Sequence, residues 1–270
     1  KLNKKNNNLL FNGFYKFGSS NFHKFKFKNN LNKKNQNYFI DLNFAENIFF
    51  DLINYKTTQD KVSNIRVQFS TKNKKFIIKE IDFKESKNTI SVKGLVLNNK
   101  NEIEKISSIK VLTFDKNEEN NNFIINFGKK ISVSGKKYDS SNLLNLLSKS
   151  NKSNLLKNFS KDVEVQIKSL ITKSKIPLKN FNLIGVIDKG KFSKVSAKSE
   201  LSENKYLDIS LKKDPNNKKI LEVYSDNPQA LLGDYKFFEG IKDGKLLYYS
   251  VIDDTGSSSK LIIENFKVIK

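Results

Sequence analysis

The chain contains no cysteine and no methionine, three prolines, a single arginine and a single histidine in 270 residues. Without cysteine there are no disulfides and no thiolate metal sites, and with only His23 no Cys/His zinc constellation can be assembled. The lack of cysteine suits an oxidising compartment whose proteins are not stapled, and suits many cytosolic proteins equally. No apolar run approaches the roughly 18 residues that a membrane-spanning helix needs. The 11 glycines show neither GxxxxGK[ST] nor GxGxxG spacing, so no phosphate-cradling loop is written into the sequence. The chain starts at Lys1 without a methionine and stops just after a strand-like run, which reads as a piece of a longer protein. A signal peptide or membrane anchor is then expected outside it.

What is abundant is lysine. The formal net charge is +22, yet Arg66 is the only arginine. Arginine supplies the bidentate fork for phosphates and guanine edges, so a sequence-specific nucleic-acid reader built with one arginine is not expected. The lysines accompany heavy Asn, Ile and Phe usage, as AT-rich codons produce. The charge reads first as a solvated face, with attraction to anionic lipid or nucleic acid as alternatives.

Period-two alternation is the dominant pattern. NIRVQFS places Ile65, Val67 and Phe69 on one face and Arg66 and Gln68 on the other. NTISVKG does the same with Ile90 and Val92, KDVEVQIKS with Val163, Val165 and Ile167, and YLDISLK with Leu207, Ile209 and Leu211. About fourteen such runs, separated by Asn, Lys, Gly and Asp turns, predict a mainly β, largely antiparallel array rather than βαβ units. Fourteen strands at about 4.8 Å each would extend on the order of 65 Å. A sheet of that length must close, meet a second sheet, or fold into a trough.

Two stretches break the alternation and predict short helices. In DSSNLLNLLSKS, Ser140 or Ser141 caps a segment with Leu143, Leu144, Leu146 and Leu147 on one side. In SDNPQALLG, Asn227 caps, Pro228 takes the first helical position and Gly233 ends the turn. KDGK, Lys242 to Lys245, predicts a hairpin turn because Asp-Gly accepts positive φ. Residues 1–8 are polar and expected to be frayed. The organisation expected is a polar, basic lead-in over 1–36 that is partly strand, a β-rich segment over 37–150 ending in a helix, and a β segment over 151–270. One continuous elongated unit would carry all three, with 150–160 as the best place for a division.

Candidate chemistry is thin. His23, on an alternating strand, reads as a packing or surface residue. Asp253 and Asp254 are adjacent, face opposite ways on a strand, and read as turn residues rather than a carboxylate dyad. HKFKFK puts Phe25 and Phe27 on the face opposite Lys24, Lys26 and Lys28, whereas a base-stacking platform needs rings and cations together. No catalytic residue is assigned, and the piece does not read as an enzyme.

The C-terminal order SDNPQALL…YKFFEGIKDGKLLYYSVIDD…SSKLIIENFKVIK resembles the C-terminal segment of the AsmA-like family, the YhdP/TamB-related envelope proteins of Gram-negative bacteria. In that likeness Leu221 and Val223 fall in a first strand, Ala230 to Leu232 in a short helix, and Gly240 to Leu246 in a turn. Leu261, Ile263, Phe266 and Val268 form the last element. ENIFFDLINYKTTQ, the paired-strand run from IKEIDFK to VLTFDK, and ISVSGKKYDSSNLLNLL follow the same order upstream, so the likeness covers about residues 37–270. The chain departs from the pattern in its basic excess, in Tyr55 where tryptophan is common, and in several replaced glycines.

The resemblance implies an elongated, curved antiparallel sheet forming a hydrophobic trough of β-taco type. It implies a periplasmic location, tethered to the inner membrane through a segment not present here, with phospholipid as the principal partner. Outer-membrane proteins are further candidate partners, and no cofactor, metal or nucleic acid is expected. The alternating positions Ile65, Val67, Phe69, Ile90, Val92, Val163, Val165, Ile167, Leu207, Ile209 and Leu211 are the candidate lining. An ordinary β core would use the same pattern. A closed structural protein of the envelope and a lysine-driven nucleic-acid module therefore stand as alternatives.

Overall fold

The computed structural model describes residues 2–5, 8–16, 21–30, 36–58, 61–143, 160–174, 176–232, 240–253 and 255–268. The chain is mainly β, 73% strand, mostly antiparallel, with almost no helix. It divides into two compact units, one of Lys1–Phe50 with Tyr55–Phe127 and one of Asp51–Asn54 with Gly128–Lys270.

The first unit is an antiparallel meander. Its strands are β1 (Leu2–Lys5), β2 (Asn8–Tyr15), β3 (His23–Asn30), β4 (Gln36–Phe44), β5 (Phe49–Phe50), β6 (Tyr55–Lys56), β7 (Ser63–Lys72), β8 (Lys75–Glu85), β9 (Asn88–Leu97), β10 (Ile103–Lys105), β11 (Ser108–Asp115) and β12 (Glu118–Phe127). Pairing runs β1–β2–β3–β4–β7–β8–β9–β11–β12, with β10 added to the end of β9 and β5–β6 standing as a separate two-stranded piece. The polar residues 2–5, expected to fray, form β1 instead. A ladder is made by backbone groups, so β2 can pair with a segment whose only apolar residue is Leu2.

Turn chemistry fixes the register. Asn73-Lys74 and Lys116-Asn117 are two-residue hairpin turns in which both residues have positive φ, 50° and 59° in the first and 45° and 74° in the second. Such turns match the strand twist, and asparagine tolerates the left-handed region better than most residues. Gly94 serves a different need. It sits at φ +62° where β9 passes from β11 to β10, and a Cβ there would lie 2.2 Å from Ser107 Oγ.

The second unit contains β13 (Ile131–Asp139), β14 (Lys161–Ile171), β15 (Pro177–Asp188), β16 (Lys191–Ser202), β17 (Lys205–Lys213), β18 (Lys219–Ser225), helix α1 (Gln229–Leu232), β19 (Ile241–Ile252) and β20 (Ser257–Val268). Strands pair in chain order from β13 to β20. All pairs are antiparallel except β13–β14, which is parallel. A parallel pair needs a crossover of a dozen or more residues. The stretch between these two strands supplies it, and the expected leucine helix falls there. Ser140 O accepts the Leu143 amide at 2.9 Å, but Leu144, Leu146 and Leu147 lie outside the described residues.

The second expected helix is present as one short turn. Asn227 Oδ1 accepts the Gln229 amide at 3.1 Å, as a cap should, and Pro228 opens the turn fully buried. Gly233 lies outside the described residues. KDGK is not a hairpin: it lies inside β19, with Asp243 at φ 57° and Gly244 at φ 89°, opposite Asn265 at φ 56° in β20. The positive φ values are used for a kink shared by two strands. The reversal comes later, where Asp253 N donates to Gly256 O at 2.9 Å. The described chain has twenty strands rather than about fourteen; four of them, β1, β5, β6 and β10, are too short to show alternation.

Candidate functional site

Each unit brings its alternating apolar residues into rows that cross the strands. In the first unit, strand register lines up Phe25, Leu42, Ile65, Phe83, Ile90, Val111 and Phe123 across seven strands. The next row is Phe27, Ile40, Val67, Ile81, Val92, Ile109 and Ile125. A third begins at Tyr38, Phe69 and Ile78, where Tyr38 and Phe69 stack at 4.7 Å between ring centroids. Six strand spacings of about 4.8 Å make each seven-strand row about 29 Å long, roughly twice the thickness of one leaflet's hydrocarbon.

The second unit repeats the arrangement. Val133, Val165, Leu183, Ala197, Ile209, Val223, Tyr248 and Leu261 form one row over all eight strands. Beside it run Ile131, Val163, Gly185, Val195, Leu211 and Leu221. On the other side Gly135, Ile167 and Phe181 align, as do Ser199, Leu207, Ser225, Leu246 and Ile263. All eleven residues named as candidate lining therefore sit on these two faces: Ile65, Val67, Phe69, Ile90 and Val92 on the first, and Val163, Val165, Ile167, Leu207, Ile209 and Leu211 on the second. Their row partners were not singled out because alternation shows which way a side chain points but not which strand it meets.

Burial varies along these faces. Leu207 and Ile167 are each 1% exposed and Val163 5%, whereas Ile65, Val67, Phe69, Ile90, Val92, Val165, Ile209 and Leu211 are half-buried. In the second unit α1 lies over one end of the face. Ala230 joins Leu178, Leu201 and Leu207 in a dry cluster, with Leu231, Ile209 and Val223 packed around it. The face contains serines at its closed end, and they are satisfied internally. Ser225 Oγ donates to Asn227 O at 2.9 Å and Ser199 Oγ to Lys179 O at 2.7 Å.

The first unit is closed at one end by the excursion between β4 and β7. Phe44, Phe50 and Tyr55 surround Phe83, with Phe50 nearest at 5.1 Å between centroids. Beneath them Glu85, 1% exposed, accepts hydrogen bonds from Tyr55 Oη, from Thr58 N at 2.6 Å and from Asn88 Nδ2 at 3.2 Å. Asn88 Oδ1 in turn accepts the Phe114 amide at 2.8 Å. Burial, together with the Glu85 carboxylate, holds the Tyr55 phenol well above its usual range. This network ties a loop to two strands, and every member is engaged.

The opposite faces carry the lysines. Lys24, Lys26 and Lys28 are exposed while Phe25 and Phe27 are half-buried in the rows, so rings and cations are separated. Arg66 pairs with Asp41 at 3.3 Å, and Lys198–Asp208 at 3.3 Å and Lys212–Glu222 at 2.9 Å continue the pattern in the second unit. Such exposed pairs contribute little stability each. His23 is 6% exposed beside Tyr15 at 6.0 Å, a packing position. Asp253 is a turn residue, its Oδ1 accepting from Thr255 N, Thr255 Oγ1 and Gly256 N; the Thr255 bonds, with Lys218 at 3.1 Å, hold its carboxyl well below the usual range. Asp254 lies outside the described residues. Among the described residues no group of acidic, histidine or cysteine side chains is placed to hold a metal ion, and no helix is long and apolar enough to cross a membrane.

No family model, curated protein or solved structure matches the chain.

Proposed function

We propose that this chain holds or guides the acyl chains of phospholipid along its apolar sheet faces, as a non-enzymatic segment of an AsmA-like protein of the cell envelope. In that role it works in the periplasm, between an inner-membrane tether and the outer membrane, with the faces lining a trough. The observation that carries the reading is the half-buried rows. An ordinary packed core leaves such residues dry, whereas the row from Phe27 to Ile125 keeps apolar surface available over about 29 Å of sheet, beside a neighbouring row in which Phe83, Val111 and Phe123 are buried. Each methylene moved from water onto such a surface gains about 0.8 kcal/mol, so an acyl chain has reason to lie along a row. Headgroups stay in water at the margin, where lysines attract the anionic ones. The mechanism needs no covalent step: the rows supply continuous contact, and the separation of lysines onto the other face keeps charge out of the path.

The test is substitution within one row. Val67→Asp with Val92→Asp places two carboxylates on the path, and the prediction is that phospholipid co-purification falls while far-UV circular dichroism is preserved. Ile77→Asp, on the lysine face of the same sheet, serves as the control and leaves lipid retention unchanged. Undiminished lipid in the double variant would remove the proposal. The second reading is a structural envelope protein with a closed core. It is favoured by the dry cluster of Leu178, Leu201, Leu207 and Ala230, and predicts that added lipid is not taken up at all.

A further inference from the structure

HKFKFK points its own rings, Phe25 and Phe27, away from its lysines, but the strands on either side bring other apolar groups to the lysine face. In the register of β2, β3 and β4, Phe14 lies opposite Lys24, and Lys28 lies between Leu10 on one side and Phe39 on the other. Phe14 is 64% exposed, and Lys24, Lys26 and Lys28 are all exposed. Alternate residues on a strand are about 6.7 Å apart, so the three lysines leave β3 at even spacing. These side chains border two shallow grooves, of about 680 and 600 Å³, that share Lys26.

The lysines carry uncancelled charge. Asp41 is opposite Lys26, and its carboxylate is taken up by Arg66 at 3.3 Å and by Asn64 Nδ2 at 2.6 Å. Among the described residues none of the three lysines is ion-paired. A surface that offers cations, aliphatic carbon and rings together is complementary to an anionic bilayer. Ammonium groups meet phosphates at headgroup depth, while their stems and the apolar tips enter the acyl boundary. A single-stranded nucleic acid also takes cations with rings, but it stacks its bases on aromatic faces, and Leu10 supplies none. Lysines are point charges without the guanidinium fork, which suits an array of mobile headgroups better than one fixed ligand.

We infer that the lysine face of β2, β3 and β4 docks the chain on an anionic phospholipid bilayer, with Lys24, Lys26 and Lys28 on headgroup phosphates and Phe14 set into the interface. This face is opposite the apolar rows, so docking does not depend on the rows holding acyl chains.

The test is flotation of the 270-residue chain with vesicles of phosphatidylcholine, with and without phosphatidylglycerol. Attachment should require phosphatidylglycerol and weaken as salt is raised. Each lysine near an anionic surface contributes about fivefold in affinity, so Lys24→Gln, Lys26→Gln and Lys28→Gln together should weaken attachment by about a hundredfold. Phe14→Ser should weaken it by about tenfold, with circular dichroism unchanged because the ring is already exposed. Removing the same charge from exposed positions of the second unit, with Lys173→Gln, Lys179→Gln and Lys191→Gln, should cost far less. Equal losses in the two triple variants would show net charge alone at work and overturn the inference, as would equal attachment to the two kinds of vesicle. Single-stranded oligodeoxythymidine bound more tightly than the vesicles, and lost in the first triple variant and in Phe14→Ser, would assign the face to nucleic acid instead. Phospholipid that co-purifies with the chain should be the same in the first triple variant as in wild type, so a failure of docking and a failure of the acyl-chain reading are told apart.

Discussion

Leu207 and Ile209 lie two residues apart on β17, on the same face, and differ in what covers them. Truncating either to alanine removes three carbons, about 2.4 kcal/mol of transfer free energy at full burial. Leu207 is 1% exposed in the cluster beneath α1, so its loss leaves a cavity, and the total cost should reach about 3–4 kcal/mol. Ile209 is only partly exposed, which keeps roughly two thirds or more of the transfer cost, and where water or a ligand can refill the space no cavity term is added, giving about 1.5–2 kcal/mol. The predicted gap of about 2 kcal/mol corresponds to a difference of about 1 M in urea midpoint for a slope near 2 kcal/mol/M. Circular dichroism and tyrosine fluorescence can follow the unfolding, the latter without tryptophan background because the chain has none. Saturating phospholipid should widen the gap between wild type and Ile209→Ala, since only that residue is accessible. Equal costs for the two truncations, insensitive to lipid, would show that the middle row is closed core, and the reasoning from half-burial would fail.

Other consequences are equally direct. Tyr55→Phe deletes a hydrogen bond to the buried Glu85 carboxylate and should destabilise the first unit by about 1.5–3 kcal/mol at neutral pH in thermal or urea unfolding. Tyr55 and Tyr138 both have raised phenol pKa values, the latter pushed up to about 12 by burial and by Asp139. The folded state therefore retains protons that the unfolded state loses above pH 10. Their stabilising contribution is complete below pH 10 and declines as pH rises from there towards 12 and beyond, and an alkaline titration of the Tyr55→Phe chain should show a shallower decline. Gly94→Ala meets Ser107 Oγ and a left-handed backbone together, and should cost more than 1 kcal/mol or so. Adding Ser107→Gly should recover part of that loss and not all, because the φ penalty remains.

Much of the strand content was legible because the side-chain period in a strand is two, and the sequence keeps that period over most of its length. Val163, Val165 and Ile167, or Leu207, Ile209 and Leu211, can point to one face only if the segment is extended. The cap at Asn227 and Pro228 was legible for a similarly local reason. What alternation does not encode is partnership. Nothing in NIRVQFS says that Val67 will face Ile40 on one side and Ile81 on the other; the two-residue turns and the bulge opposite Gln68 and Phe69 decide that. KDGK was misread because Asp-Gly specifies a backbone conformation and not its use: a hairpin and a kink inside β19 both need positive φ. The closing pieces were hidden as well. Glu85 looks like a surface residue on an alternating strand, and only the fold of 45–58 over it shows why it is buried. How far each row is covered depends on such lids, which is why alternation placed the candidate residues on one face without separating Leu207 from Ile209.

The central claim is that these faces accept lipid, and native mass spectrometry of the purified chain, with organic extraction and identification of what co-purifies, tests it most directly. The account predicts phospholipid bound in at least stoichiometric amount, reloaded when extracted protein is offered vesicles. A lipid-free chain that takes up none when offered it would contradict the account and leave a closed structural core in its place.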